Sequence, residues 1–452
     1  MRLVLNASWL IDGLNDEPLE NACVIIEGSK IVYAGPRDTA PYQVRSEKDD
    51  SLTIGFEDAA ILPGLIDCHV HLTSTGMPED RELSLPAVRS GGPRAHDSLD
   101  PSGVSCLPYL SRISGAEASL LTAIAVKNME KCLKGGVTTV RDLGAPNEVI
   151  LTLRDMERAC LITGPRIVAS GAVITTTGGH GYRHGIECDS ALEVRKAARA
   201  QLKAGVDVIK IMSSGGVFTA LSKSSNCQYT VDELKEAVVE AEKSGKKVAT
   251  HVHANEAIKR AVLAGIHSIE HGIFLDEECI SLMLDRGTFL VPTLAPHKYI
   301  WGNKEIHRIP KIFLEKASMI REPNFESTRK AIAAGVKIAA GTDSGIPFME
   351  HGRVVTEIEV LHEIGMKPMD AIRAATSRAA ELLQVDREVG TVEPGKVADL
   401  MVVKGNPVRD LKVLRNPKLV IHEGKIVAVD PEVGISQDRE ILFLAERNGW
   451  PE

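Results

Sequence analysis

The spacing of apolar and polar positions changes character twice along the chain. Residues 1 to about 58 read as short strands, and 24–35 is two apolar runs around Gly28-Ser29-Lys30, a hairpin pattern. The same texture returns in 398–405 and 418–427, where Ile421-His422-Glu423-Gly424-Lys425-Ile426-Val427 resembles Ile26-Glu27-Gly28-Ser29-Lys30-Ile31-Val32. A small β-sandwich domain built from both chain ends accounts for this, with 1–58 and 388–437 as its two parts and 438–452 as a tail.

The intervening stretch, 59–387, alternates strand and helix patterns. Apolar runs at 60–71, 137–143, 166–169, 206–212, 247–253, 267–271, 288–292 and 336–342 predict strands. The best-marked helix is 230–241, where Thr230 and Glu233 make a capping box and Leu234, Val238 and Ala241 share a face. A second helix, 254–263, is stopped by Gly265. Eight strand–helix units predict an α/β fold, a (β/α)8 TIM barrel of about 250 residues plus insertions. A doubly wound sheet needs a glycine-rich turn after its first strand, whereas Pro63-Gly64 precedes the histidines there. Residues 76–116, rich in Gly, Pro, Ser and charge, predict a long loop over the barrel mouth, a candidate lid.

Composition narrows the function. A formal charge of -8 over 452 residues, no long basic run and 4% aromatic residues argue against a nucleic-acid partner. No apolar run is long enough to cross a bilayer, and Met1-Arg2-Leu3-Val4-Leu5-Asn6 turns polar too early for a signal-peptide core, so no membrane partner and a cytoplasmic location are expected. Eight singly spaced cysteines suit reduced thiols.

The candidate chemistry starts at Leu62-Pro63-Gly64-Leu65-Ile66-Asp67-Cys68-His69-Val70-His71. Histidines two apart on a strand point the same way, which makes half a metal site. Lys210, His251, His271 and Asp343 each fall at or near the end of a further apolar segment. In a barrel those ends form one face, and imidazole with carboxylate suits zinc-like ions. Singly, His271 reads as a strand cap and Asp343 as a turn residue; jointly they read as ligands. Lys210 interrupts an apolar strand, where an amine is costly unless paired or modified. Either it salt-bridges an acid, or carbon dioxide converts it to a carbamate that bridges two metal ions.

These motifs resemble the amidohydrolase superfamily, in its binuclear, prolidase-like and imidazolonepropionase-related branch. The likeness is carried by 62–71, Gly136-Val137-Thr138-Thr139-Val140-Arg141-Asp142, Thr177-Gly178-Gly179-His180-Gly181, Lys210, His251-Val252-His253, Ser268-Ile269-Glu270-His271-Gly272, Gly341-Thr342-Asp343 and Pro394-Gly395-Lys396-Val397-Ala398-Asp399-Leu400. The resemblance implies that His69, His71 and Asp343 hold one divalent ion, zinc by preference, and His251 and His271 the other. Carboxylated Lys210 would bridge them, and a hydroxide between the ions would attack, with Asp343 as proton shuttle. His253 is either the strand ligand in place of His251 or a substrate contact. Relatives of this branch cleave dipeptides and N-acyl amino acids, releasing the C-terminal residue, and commonly form homo-oligomers. A small-molecule substrate of that kind needs a partner for its α-carboxylate. Tyr229, Arg141 and His180 are candidates, against packing for Tyr229 and an Asp142 pair for Arg141. Glu187 or Asp189 would suit a cationic side chain, and Val217, Phe218 or Trp301 an apolar one. The alternatives are hydrolysis or deamination of a cyclic amide or heterocycle, which usually proceeds without a bridging lysine, and hydrolysis of an aryl-amide conjugate.

Overall fold

The computed structural model describes residues 2–41, 51–74, 115–182, 185–217, 219, 223–302, 311–346 and 348–433. The candidate lid at 76–116 therefore lies almost wholly outside the described residues, as do Phe218, the Trp301 side chain and the 438–452 tail.

The chain opens with β1 (Arg2–Leu10), β2 (Leu19–Glu27), β3 (Lys30–Pro36), β4 (Ser51–Gly55) and β5 (Ala59–Pro63). These strands join β15 (Leu400–Lys404), β16 (Pro417–His422) and β17 (Lys425–Val429) in one eight-stranded sheet. Both chain ends thus meet, as the repeated texture suggests, but in a single sheet. The two similar hairpins touch at their turns: Ala398 N–H donates to Ser29 O and Gly424 N–H to Ala398 O. A Cβ on Gly424 would lie 2.0 Å from Gly28 O, so the approach requires glycine there.

The apolar run 60–71 is divided. Its first half, β5, pairs with β1 and β15, and β6 (Leu65–Val70) starts a different sheet. The break falls at Gly64, where a Cβ would meet Thr138 Oγ1 at 2.2 Å.

From β6 the path runs by parallel pairing through β7 (Val137–Asp142) and β8 (Arg166–Ala169). The short β9 (Ile174–Thr175) pairs with β10 (Ile186–Glu187) on one side and with β11 (Val208–Met212) on the other, and Asp207 N–H ties the start of β11 to Ala169 O at 2.8 Å. Parallel pairing continues through β12 (Lys247–Val252), β13 (Ser268–His271) and β14 (Phe289–Val291). Residues 336–342, an expected strand, form only a parallel bridge, Leu290 with Ile338. Their backbone still completes the path, since Leu290 N–H donates to Lys337 O and Cys68 N–H to Ala340 O, both at 2.9 Å. The hydrogen-bonded ring returns to β6.

Helices α1 (Gly115–Lys134), α2 (Asn147–Arg158), α3 (Ala191–Ala204), α4 (Val231–Lys243), α5 (Asn255–Ala264) and α6 (Glu277–Arg286) alternate with these strands. Then come α7 (Ala295–Gly302), α8 (Lys311–Ala334), α9 (Val354–Glu363), α10 (Pro368–Ala374) and α11 (Ser377–Leu383). The capping box of α4 is formed, with Thr230 and Glu233 bonded reciprocally. Gly265 ends α5 in the left-handed region at φ 93°. No helix among the described residues is long and apolar enough to cross a membrane, and the seven described cysteines are free thiols.

A buried ionic cluster joins the sheet to the ring. His422 of β16 lies 3.1 Å from Asp399 Oδ1 and 3.2 Å from Glu157 Oε1 of α2, and Arg166 of β8 pairs with Asp399 at 2.6 Å. Burial favours the neutral imidazole, but Asp399 and Glu157 outweigh it and raise the His422 pKa to about 9. With an unfolded value near 6.5, the resulting stability is fully present below that pH and is lost as pH rises through about 9. Denaturant titrations should show wild type losing about 3 kcal/mol between pH 6 and pH 10 through this group, and His422→Gln lacking that slope. Equal slopes in the two proteins would refute the assignment.

Candidate metal centre

Because the ring strands are parallel, their C-terminal ends share one face, and the candidate ligands gather there. His69 lies near the end of β6 and His71 just beyond it, and their Nε2 atoms lie 3.6 and 3.2 Å from Asp343 Oδ1. Asp343 is carried there by its N–H bond to His69 O at 2.7 Å. His251 of β12 and His271 of β13 have ring centroids 4.6 Å apart, and His271 is 5.2 Å from His69. His253 joins this group, 4.4 Å from His251, with its buried Nδ1 unbonded.

Two of these positions, and the neighbouring Thr293, are strained. His271, Thr293 and Asp343 adopt φ of 71°, 51° and 55°, a region costing non-glycine residues roughly 1–3 kcal/mol when it is sparsely populated. Surrounding bonds hold them in place: Thr293 Oγ1 sits 2.7 Å from His271 Nδ1.

Lys210 projects from the middle of β11 into this group. It is 1% exposed, and its Nζ has no hydrogen-bond partner. Burial pushes its pKa down to about 8. Burial, with Lys210 adding to it, pushes His69 down to about 4. Burial disfavours the Asp343 carboxylate, but His69 and His71 overcome that and hold it well below the usual carboxylate range.

Beneath the ligands lies a layer that the sequence reading missed. Glu270 Oε2 is 2.9 Å from His69 Nδ1, while Glu270 Oε1 accepts from Arg141 Nη2 at 2.8 Å and from Ser268 Oγ at 2.7 Å. A carboxylate on Nδ1 sets the tautomer that leaves Nε2 free to ligate. His71 Nδ1 similarly faces Gly144 O at 3.2 Å. The signal for Glu270 was present, since it is a charge inside an apolar strand like Lys210.

This layer corrects the role expected of Arg141. The residue is 2% exposed, and its remaining nitrogens donate to Cys68 O and Ser268 Oγ. Its guanidinium is committed inside the ring, to Glu270 instead of Asp142, and is not presented to a substrate. Tyr229 is also buried, packs in the main core, and donates its hydroxyl to Cys188 O at 3.0 Å. Packing is its observed role. His180 does reach the centre: its ring lies 4.2 Å from His251, and its Nδ1 is 2.8 Å from Thr219 Oγ1. Glu187 and Asp189 brace the loop before it, accepting from Gly178 N and from Thr177 N and Oγ1.

The donors suit divalent ions. Ligand atoms of His251, His253 and His271 lie within 4.8 Å of one another, as do those of His69, His271 and Asp343. Nitrogen and carboxylate donors of this kind are those that zinc takes, and the orphaned Lys210 Nζ lies close enough for its charge to act on His69, His271 and Asp343.

The ring with a histidine-rich, carboxylate-bearing end defines a metal-dependent hydrolase fold. The amidohydrolase family model matches residues 60–427, and the chain belongs to that family; it is a hydrolase acting on amide carbon–nitrogen bonds. Ochratoxinase of Aspergillus niger is 30% identical over 453 residues, spanning 93% of this chain and 85% of that one. A solved Xaa-Pro dipeptidase with methionine bound in its active site is 32% identical with a TM-score of 0.79, covering 94% of this chain and 99% of that one. A prolidase complexed with N-methylphosphonate-L-proline is 27% identical with a TM-score of 0.80, covering 95% and 100%.

Proposed function

We propose that the protein is a binuclear metal amidohydrolase on a (β/α)8 barrel, cleaving dipeptides or N-acyl amino acids and releasing the C-terminal amino acid. The observation that carries this reading is the buried, unbonded Lys210 amine, whose charge acts on five histidines and Asp343. An ammonium there is costly; once it gives up a proton, the neutral amine can add to carbon dioxide and release a second proton to solvent, and the resulting anionic carbamate would serve as a further ligand. His69, His71 and Asp343 would hold one ion, His251 and His271 the other. When bound, such ions would lower the pKa of a water and polarise the scissile carbonyl.

The chain's own groups do the rest. Asp343 takes the proton of the attacking water as the carbonyl carbon gains its new oxygen, and delivers that proton to the nitrogen as the C–N bond breaks. Burial keeps His180 and His253 neutral, with pKa values pushed down to about 4 and 3. Each imidazole can therefore offer one N–H to the substrate. The related prolidase complex supports the substrate class, because the ligand it holds is N-methylphosphonate-L-proline, a proline derivative.

The test is a panel of Xaa-Pro dipeptides and N-acetyl-L-amino acids, read by release of primary or secondary amine. At least one member should reach a kcat/KM of about 10⁴ M⁻¹ s⁻¹ or more. Chelation should abolish this turnover and zinc should restore it. Turnover of cyclic amides alone would replace this reading with the heterocycle alternative.

A further inference from the structure

An α-carboxylate calls for a cation, and Arg141 is committed inside the ring. α8 brings another cation to the centre. Lys316 Nζ donates to Thr219 O at 2.8 Å, and Thr219 Oγ1 lies 2.8 Å from His180 Nδ1, whose ring stacks 4.2 Å from His251. Three contacts, through Thr219 and His180, therefore link the Lys316 ammonium to the candidate metal ligand His251. The placement is fixed by packing, because Ala317 and Ile320 of the same helix cluster with Val217, which follows β11, and Ile273, which follows β13. α8 thus lies across the face where the ring strands end.

We propose that Lys316 is the specificity residue that receives the α-carboxylate of the amino-acid half of the substrate. His180 stands between it and the scissile bond. This inference rests on the substrate carrying a free α-carboxylate, as in the function proposed above. An ammonium is a compact charge on a flexible stem, and the attraction of a carboxylate to that charge does not require Lys316 to give up Thr219 O. Burial lowers its pKa, and an arriving carboxylate offsets that cost, which favours acids over neutral analogues.

The experiment is calorimetric titration of the holoenzyme with L-methionine and with L-methioninamide, which share an amine and a side chain and differ in the carboxylate. Wild type should bind the acid about 10-fold more tightly, the scale of one charge-assisted hydrogen bond. Lys316→Gln should bring the two within about twofold, and Lys316→Arg should keep most of the preference. A second measurement needs no variant: L-methionine, but not its amide, should slow reductive methylation of Lys316 in wild type, read by mass spectrometry. An undiminished preference in Lys316→Gln, no preference in wild type, or no protection of Lys316 would overturn the proposal. None of these readouts uses turnover. Failure of the amide-hydrolysis reading would show separately, as a silent substrate panel.

Discussion

Lys210→Ala is expected to lower the metal content of the protein from two equivalents per chain to one or fewer, and to reduce amide turnover by about 10³-fold. The argument starts from β11, where the alternation of side chains aims Lys210 into the ring with no partner for its Nζ. If the carbamate is what holds two ions together, an alanine leaves several histidines facing one another with no anion between them. An ion of this kind supplies several kcal/mol of transition-state stabilisation, and about 4 kcal/mol corresponds to 10³ in rate. Protein expressed with zinc and bicarbonate and assayed for metal by mass spectrometry gives the decisive number. One equivalent in wild type, unchanged in the variant, would refute the binuclear reading and restore the cyclic-amide alternative.

The second large effect is expected at Asp343. Asparagine keeps the size of the side chain and tolerates the left-handed backbone at φ 55°, so Asp343→Asn separates chemistry from strain better than alanine does. Loss of the carboxylate removes the proton carrier, and a fall in kcat of about 10²–10⁴-fold is expected with little change in melting temperature. Metal content should be measured on the same sample, because Asp343 also lies within reach of His69 and His71. A variant turning over within tenfold of wild type while retaining its metal would show that another group moves the proton.

What the sequence made legible was set by period and position. Parallel strands put their C-terminal residues on one face, so His69, His71, His251, His271 and Asp343 could be grouped before any distance was known. Thr230 and Glu233 marked the start of α4 because a capping box is local, and Gly265 marked the end of α5 for the same reason. Long-range partners were not legible. Arg141 looked free for a substrate because Glu270 lies 129 residues away, and Tyr229 looked available because its acceptor, Cys188 O, belongs to a different loop. The division of 60–71 escaped notice because both halves are apolar, and only the crowding of Gly64 against Thr138 reveals where one sheet gives way to another. Lys316 carried no signal in the sequence: its significance comes from α8 lying across the ends of strands that precede it.

The sheet shared by the two chain ends also imposes an order on synthesis. β5 hydrogen-bonds through Ala59–Pro63 to β15 at Leu400–Lys404, so one edge of the nascent sheet waits for more than three hundred residues before its neighbour leaves the ribosome. An apolar strand with an open edge is a template for pairing with another chain. The growing polypeptide is most exposed to misassembly through that interval. A stop codon late in the reading frame, far from any catalytic group, would leave the edge open for good, and its first symptom would be aggregation of newly made chains.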